Sequence, residues 1–202
     1  RNNKGTLELD QENSQIFTGL GLVSGAVFSD FNRDGNQELL VSTEWGTLRM
    51  FEFRNGTFQE ITNETGLNQW SGWWKGVTTG DFNNDGLPDI VAANIGKNTP
   101  YQIRNKSPLR TYYKDLAGMG AMDIMEAYAD EKGNYLPRRR LYKYQEKQIL
   151  LNRMGSHKEF AGSTLKQILG NRYTETPYKE INTLDHMIFI NTGEGFEAQS
   201  LP

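Results

Sequence analysis

The sequence predicts an all-β fold, and three observations point to it. Glycine is abundant, at 21 of 202 residues against 6 prolines, and aromatic residues make up 11% of the chain. Many glycines together with many aromatics are typical of short strands joined by tight turns. Short apolar segments bounded by Gly and Asn, such as 39–41 and 90–93, also have the pattern of strands. The third observation is an internal repeat.

Two similar segments, 25–43 and 76–94, repeat along the chain. Both contain a glycine, Asp-Phe-Asn, Asp-Gly, an acidic residue three positions later and then an apolar run. Their first residues, Gly25 and Gly76, are 51 positions apart, which suits a propeller blade better than a helical repeat. Segments 51–58 and 188–196 also resemble each other: an aromatic-rich strand, an Asn/Gly turn and another aromatic residue. We therefore predict a β-propeller or partial propeller of about three or four blades.

One part of the chain departs from the β pattern. Residues from about 137 to 172 are basic and favour helix, with a capping-box pattern at Ser156 and a glycine stop at Gly170. The basic run 138–140 at its start could meet an acidic partner or the loop of another blade, but a solvated surface is the favoured interpretation. We expect one β domain over 1–202 with a helical insertion at about 137–172. Because closed propellers need four to eight blades, we also expect missing blades in a longer parent chain, or self-association.

Charge and composition exclude several functions. The net charge of -3 argues against nucleic acid as a partner. No apolar run approaches the roughly 18 residues that a membrane helix needs, so no membrane span is expected. The absence of cysteine removes disulfides, thiolate metal sites and cysteine nucleophiles. No nucleophile-elbow, P-loop or dinucleotide motif is present either, so we predict no catalytic residues and no organic cofactor.

Each repeat contains a nine-residue loop of oxygen donors, and we interpret both loops as calcium sites. Side-chain or carbonyl oxygens at positions one, three, five, seven and nine converge when the backbone curls, and glycine at position six permits the turn. Oxygen donors without His or Cys select calcium over zinc or copper. An EF-hand is excluded because its twelfth position needs Glu, whereas Val41 and Ala92 stand there. The predicted ligands are Asp30, Asn32, Asp34, the carbonyl of Asn36, and Glu38 in the first loop, and Asp81, Asn83, Asp85, the carbonyl of Leu87, and Asp89 in the second.

The alternative is that each loop is only a solvated turn, but two matching copies favour a structural metal. A third segment, 114–123, aligns Asp115, Gly120 and Asp123 with the first, sixth and ninth positions. Ala117 and Met119 replace the third and fifth ligands, so we predict that this loop binds calcium poorly. We expect Met119 and Met122 to pack locally instead.

The loops and their flanking strands resemble the FG-GAP or VCBS repeats of integrin-α-like β-propellers, including the bacterial ASPIC/UnbV-related group. The resemblance is strongest over residues 18–104, where D-F-N-x-D-G-x-x-[DE] precedes an apolar strand. It implies one four-stranded blade per repeat, calcium in the loop between two strands, and an extracellular or cell-surface location for an exported protein.

The expected function is therefore a non-enzymatic, calcium-stabilised binding or scaffold module, with a role such as adhesion to a protein or glycan ligand at the cell surface. Trp70, Trp73 and Trp74 are candidate ligand-binding residues, since tryptophan can stack on sugar rings; packing between blades is the favoured alternative for them. The alternative function is part of a lyase-like propeller enzyme that acts on polysaccharide, with calcium in a structural role. A convergent group of Lys, Arg, His or Tyr side chains beside a calcium in an open groove would favour that alternative.

Overall fold

The computed structural model describes residues 2–104, 106–116, 120–139 and 154–202. The chain divides into two compact units, residues 1–98 with 184–202, and residues 99–183. The described residues are mainly in antiparallel sheets, with short helices, so the predicted all-β fold is confirmed. Among these residues, no helix is long and apolar enough to cross a membrane. The assignment of residues 1–202 to a single domain stays a prediction.

The first sheet of unit 1–98/184–202 is built from strands that follow one another in the chain. Its order is β3-β4-β5-β6, and β7 pairs with the far half of β4. The strand bounds are β3 Leu22–Ser29, β4 Glu38–Thr47, β5 Arg49–Arg54, β6 Thr57–Glu60 and β7 Ser71–Trp73. This meander includes the sequence repeat 25–43 and the aromatic segment 51–58, as the repeat pattern predicts.

The second sheet has four strands and is interrupted in sequence. Its order is β15-β14-β9-β8, with register pairs Thr79↔Ile90 and Phe189↔Ile90 at its centre. The bounds are β8 Gly76–Gly80, β9 Asp89–Ala93, β14 Met187–Asn191 and β15 Phe196–Ser200. The chain therefore leaves the sheet after β9, forms the whole of unit 99–183, and returns to complete the sheet with β14 and β15.

Alternation along these strands places one apolar set in a shared core. Leu40, Met50, Ile90 and Phe189 are at most 1% exposed and belong to one cluster with Trp74. The N-terminal residues form a short hairpin of β1 Asn2–Asn3 and β2 Thr6–Leu7, then helix α1 Gln11–Ser14, which Asp10 caps.

Unit 99–183 contains one four-stranded sheet and a helical part. The sheet order is β12-β11-β10-β13, with β10 Leu109–Lys114, β11 Asp123–Ala129, β12 Tyr135–Pro137 and β13 Tyr178–Ile181. Helices α2 His157–Gly162 and α3 Leu165–Leu169 lie between β12 and β13, within the predicted 137–172 segment, of which 140–153 are outside the described residues. Ser156 caps α2 and Thr164 forms a capping box on α3, so both helix starts agree with the sequence. Phe160, Leu165 and Ile168 pack with Met125 from the sheet in the core of this unit.

Candidate metal centre

Each predicted calcium loop connects the first two strands of its sheet. Loop 30–37 joins β3 to β4, and loop 81–88 joins β8 to β9, so the two loops occupy equivalent places in their sheets. Each loop contains a non-glycine residue and a glycine with positive φ, Arg33 at 59° and Gly35 at 87° in the first, Asn84 at 60° and Gly86 at 88° in the second. The sharp curl expected from glycine at position six is therefore present in both loops.

The first-position aspartate closes each loop on itself. Asp30 accepts hydrogen bonds from the backbone N–H groups of Asp34 (3.1 Å) and Gly35 (3.0 Å). Asp81 accepts one from the N–H of Gly86 at 2.8 Å. These bonds hold the first-position carboxylate against the backbone of the turn.

The third and fifth positions form a second matching set of contacts. The Oδ1 of Asn32 accepts from the N–H of Asp34 at 2.9 Å, and the Oδ1 of Asn83 accepts from the N–H of Asp85 at 3.0 Å. The backbone N–H of Asn36 is the main cause that lowers the pKa of Asp34, and the N–H of Leu87 lowers the pKa of Asp85 in the same way. Both carboxylates therefore stay ionised over a wide pH range while exposed to solvent.

The ninth-position acid is buried in each repeat. Glu38 is 3% exposed and Asp89 is 0% exposed. Each accepts a hydrogen bond at 2.9 Å from the backbone N–H of the phenylalanine at position two, Phe31 or Phe82. Burial raises the pKa of Glu38; the N–H of Phe31 opposes the rise, and the charges of Asp34 and Asp30 add to it. A cation in this loop would relieve that repulsion between carboxylates.

A sequence-profile comparison agrees with this geometry. Residues 30–92 match the FG-GAP-like repeat, a match that begins at the first ligand of the first loop and ends in β9, after the second loop. The chain contains an FG-GAP-like repeat at residues 30–92. No curated protein and no solved structure matches the chain. Membership of the ASPIC/UnbV-related subgroup stays a prediction.

Two contacts join the loops of the FG-GAP repeat to each other. The guanidinium of Arg33, in the first loop, donates to the carbonyl of Gly86 in the second. The side-chain amide of Asn191, at the end of β14, donates to the carbonyls of Phe31 (2.8 Å) and Pro88 (3.1 Å). The backbone N–H of Asn191 also donates to Asp89 at 2.8 Å. Asn191 is 4% exposed, so these bonds are shielded from water.

Asn191 is the residue that sequence reasoning missed. It lies 160 positions from Phe31 in the first loop and 103 from Pro88 in the second, in a segment that the pattern identifies only as an aromatic strand followed by a turn. The one available signal is a polar residue at the end of the apolar run 187–190, where a turn residue is the ordinary interpretation.

The donor chemistry of both loops fits a hard cation. Every predicted ligand in the FG-GAP repeat offers oxygen, and carboxylates at positions one, five and nine supply the negative charge. Several of these oxygens accept hydrogen bonds from the loop backbone. Within the described part of the chain, no group of three or more His, Cys, Asp or Glu side chains is placed so that it could hold a metal ion. Binding would therefore require the loop carboxylates to exchange hydrogen bonds for metal contacts.

The third segment, 114–123, which follows the pattern incompletely, keeps part of the geometry of the two predicted calcium loops. Asp115 accepts from the N–H of Gly120 at 2.7 Å, and the buried Asp123 accepts from the N–H of Leu116 at 2.9 Å. Ala117 and Met119, on which the prediction of poor calcium binding rests, lie outside the described residues. The expectation that Met122 packs locally is wrong, because its side chain is 64% exposed.

The three candidate tryptophans differ in their surroundings. Trp74 is 0% exposed and packs with Phe189 in the core, which matches the packing alternative and leaves it no surface for a ligand. Trp70 packs partly against the same core. Trp73 is half-buried: its indole N–H donates to Glu44 at 2.8 Å and the ammonium of Lys75 lies 4.7 Å from its ring centroid. Trp73 also contacts Trp45, with ring centroids 5.5 Å apart.

Proposed function

We propose that this chain is a calcium-stabilised, non-enzymatic binding or scaffold module of an exported or cell-surface protein. The observation that carries the proposal is the matched pair of loops. Two segments 51 positions apart have the same donors, the same positive-φ residues and the same buried ninth-position acid. Burying a carboxylate is unfavourable without a compensating partner, and a cation in the loop would supply positive charge to each buried acid.

The residues that would hold calcium are the oxygen donors of each loop. Asp30, Asn32, Asp34, the Asn36 carbonyl and Glu38 would bind one ion; Asp81, Asn83, Asp85, the Leu87 carbonyl and Asp89 would bind the other. Bound calcium would supply positive charge that offsets the repulsion between the loop carboxylates. Through Asn191 and Arg33, the order of one loop would then be transmitted to the other.

The proposed partner is a protein or glycan at the cell surface, and the proposed contact surface includes Trp70 and Trp73. Trp73 supports this because its ring is held in place by Glu44, Lys75 and Trp45 and is only half-buried. A rigid aromatic ring loses little conformational entropy on binding, which favours stacking on a sugar. Millimolar extracellular calcium suits exposed loops of modest affinity, which supports the proposed location.

The test of the calcium proposal is thermal unfolding followed by tryptophan fluorescence. All four tryptophans and both loops belong to unit 1–98/184–202, so the signal reports on the unit in question. At calcium about 100-fold above the dissociation constant, each bound ion stabilises the unit by about 2.7 kcal/mol relative to chelator. The double variant Asp34→Ala/Asp85→Ala is expected to lose this calcium-dependent shift.

The matched control is Glu197→Ala, which removes an exposed acid of β15 in the same unit, outside the loops. It is expected to keep the calcium-dependent shift of the wild type. A melting midpoint that is the same in calcium and in chelator would refute the proposal. A shift that magnesium produces equally would refute the assignment of the loops to calcium.

A further inference from the structure

We propose that unit 99–183 contains a binding pocket for a small oxyanion, a ligand that carries a carboxylate or phosphate group. The pocket has a volume of about 300 Å³ and lies beside β10 and β11. We call it the arginine pocket; its lining residues are Pro100, Gln102, Arg104, Leu109, Tyr128 and Arg138. It is separate from the calcium loops 30–38 and 81–89, which belong to the other unit.

The arginine pocket is positively charged. Two of its six lining side chains, Arg104 and Arg138, are cations, and none of the six is acidic. A second cavity of about 350 Å³ shares Tyr128 and Arg138 with it and adds Arg139 and His157, again with no acidic lining residue. This is unusual in a chain of net charge -3, and clefts lined by one sign of charge concentrate ligands of the opposite sign.

Arg138 and Arg139 are held in position by a buried carboxylate. Glu126 accepts hydrogen bonds from Tyr101 Oη at 2.7 Å, Arg138 Nη1 at 3.0 Å and Arg139 Nε at 2.8 Å. Its side chain is only 10% exposed, and it does not line either cavity. Two guanidinium groups therefore share one carboxylate, which leaves an excess positive charge. The interpretation of residues 138–140 as a solvated surface is wrong for Arg138, and Arg140 lies outside the described residues.

Arg104 is held in position by neighbouring side chains and keeps N–H donors for a ligand. Its guanidinium carbon lies 4.4 Å from the ring centroid of Tyr128, and one terminal nitrogen donates to the Oε1 of Gln102 at 3.4 Å. A guanidinium has five N–H donors in a rigid fork that matches a carboxylate or a phosphate. Stacking on Tyr128 fixes the plane of that fork at the pocket wall, so less side-chain entropy is lost on binding.

Pocket size sets the class of ligand. Small-molecule pockets range from about 300 to 1,000 Å³, and this one is at the lower limit. A sugar acid or an inorganic phosphate fits that limit, and both present the oxygens that guanidinium groups recognise. The charged oxygens, rather than an apolar surface, would supply the specificity.

The test is isothermal titration calorimetry on the complete 202-residue chain at low ionic strength, with glucuronate, inorganic phosphate and glucose as separate ligands. Glucuronate differs from glucose by a carboxylate in place of a hydroxymethyl group, so the pair isolates the charge. We expect an anion to bind and glucose to give no signal. Arg104→Gln is expected to weaken anion binding about tenfold or more, since a charge-assisted hydrogen bond is lost. Arg104→Lys keeps the charge but not the fork, so its affinity for the anion should lie between those of the wild type and Arg104→Gln.

Arg54→Gln is the matched control, because it removes an exposed arginine of the other unit that pairs with Glu52. It is expected to bind the anion as the wild type does. Binding of phosphate alone would support the pocket and identify phosphate as its ligand; binding of glucuronate alone would identify a sugar acid. Failure of both anions to bind, or equal weakening by Arg54→Gln and Arg104→Gln, would overturn the proposal. Neither result depends on calcium, so the calcium proposal stands or falls separately.

Discussion

Replacing Asn191 with alanine should destabilise unit 1–98/184–202, because one side chain stabilises both loops. The amide donates at 2.8 Å to the carbonyl of Phe31, in buried surroundings, and at 3.1 Å to the partly buried carbonyl of Pro88. Removing a donor from a buried acceptor costs about 1–3 kcal/mol, with the larger part expected at Phe31. The sum for Asn191→Ala is therefore about 2–4 kcal/mol.

Asn191→Asp provides a sharper comparison, because it keeps the shape of the side chain. It replaces both N–H donors with acceptors that face two carbonyl oxygens, next to the buried carboxylate of Asp89. The aspartate variant should therefore be less stable than the alanine variant at neutral pH, and the difference should narrow as the pH falls and the new acid is protonated. The sequence alone gives no reason to expect this order.

Urea unfolding followed by tryptophan fluorescence measures the effect, since every tryptophan of the chain belongs to this unit. The control is Gln199→Ala, which truncates an exposed residue of the neighbouring strand β15 and should change the free energy of unfolding by less than about 0.5 kcal/mol. An Asn191→Ala variant within 0.5 kcal/mol of the wild type, by the same threshold, would show that water replaces the amide and that the two loops are not joined as described.

Two further predictions concern backbone strain and pH. Gly35→Ala and Gly86→Ala each place a Cβ at positive φ, so each should lower the free energy of unfolding by about 1–2 kcal/mol in the urea assay. Gly86→Ala should lower the free energy of unfolding more than Gly35→Ala, because only the Cβ at position 86 meets the guanidinium of Arg33. Equal losses in the two variants would contradict that contact. Burial opposes ionisation of Glu126, but hydrogen bonds from Arg139 and Tyr101 and the charges of both arginines outweigh it and lower its pKa. Glu126 therefore stabilises unit 99–183 above its unfolded pKa of about 4.5 and loses this effect as the pH falls through its folded pKa. Hydrogen exchange of β11 amides should show that lowering the pH destabilises unit 99–183 less in Glu126→Gln than in the wild type. The same loss of protection in both proteins would contradict this role of Glu126.

The features that sequence predicts well here are local. The predicted calcium loops combine donors, a glycine and a following apolar strand within fourteen positions, and their backbone curls where Gly35 and Gly86 require it. The helix starts at Ser156 and Thr164 are likewise set by hydrogen bonds that span three residues. Such patterns need no knowledge of the rest of the fold.

The features that sequence did not predict depend on distant partners. Trp73 and Trp74 are neighbours in the chain, yet Trp74 is fully buried while Trp73 is half-buried, because adjacent residues of an extended segment point to opposite sides. The arginine pocket also escaped prediction. Arg138 has the pattern of a surface cation, and only the pairing of β11 with β12 brings it to Glu126.

Because the second sheet is interrupted in sequence, the buried acids of the two loops receive their hydrogen bonds from different parts of the chain. All strands of the first sheet lie within residues 22–73, and Glu38 accepts its hydrogen bond from Phe31, which is close to it in sequence. The second sheet lacks two of its four strands until the chain returns at β14, and Asp89 depends on the N–H of Asn191 from that strand. Because Asn191 also donates to Phe31 in the first loop, the returning strand is the element through which the second sheet supports both loops. Closing a sheet across residues 94–186 has a larger entropic cost than closing a hairpin, and the buried hydrogen bonds of Asn191 offset part of it.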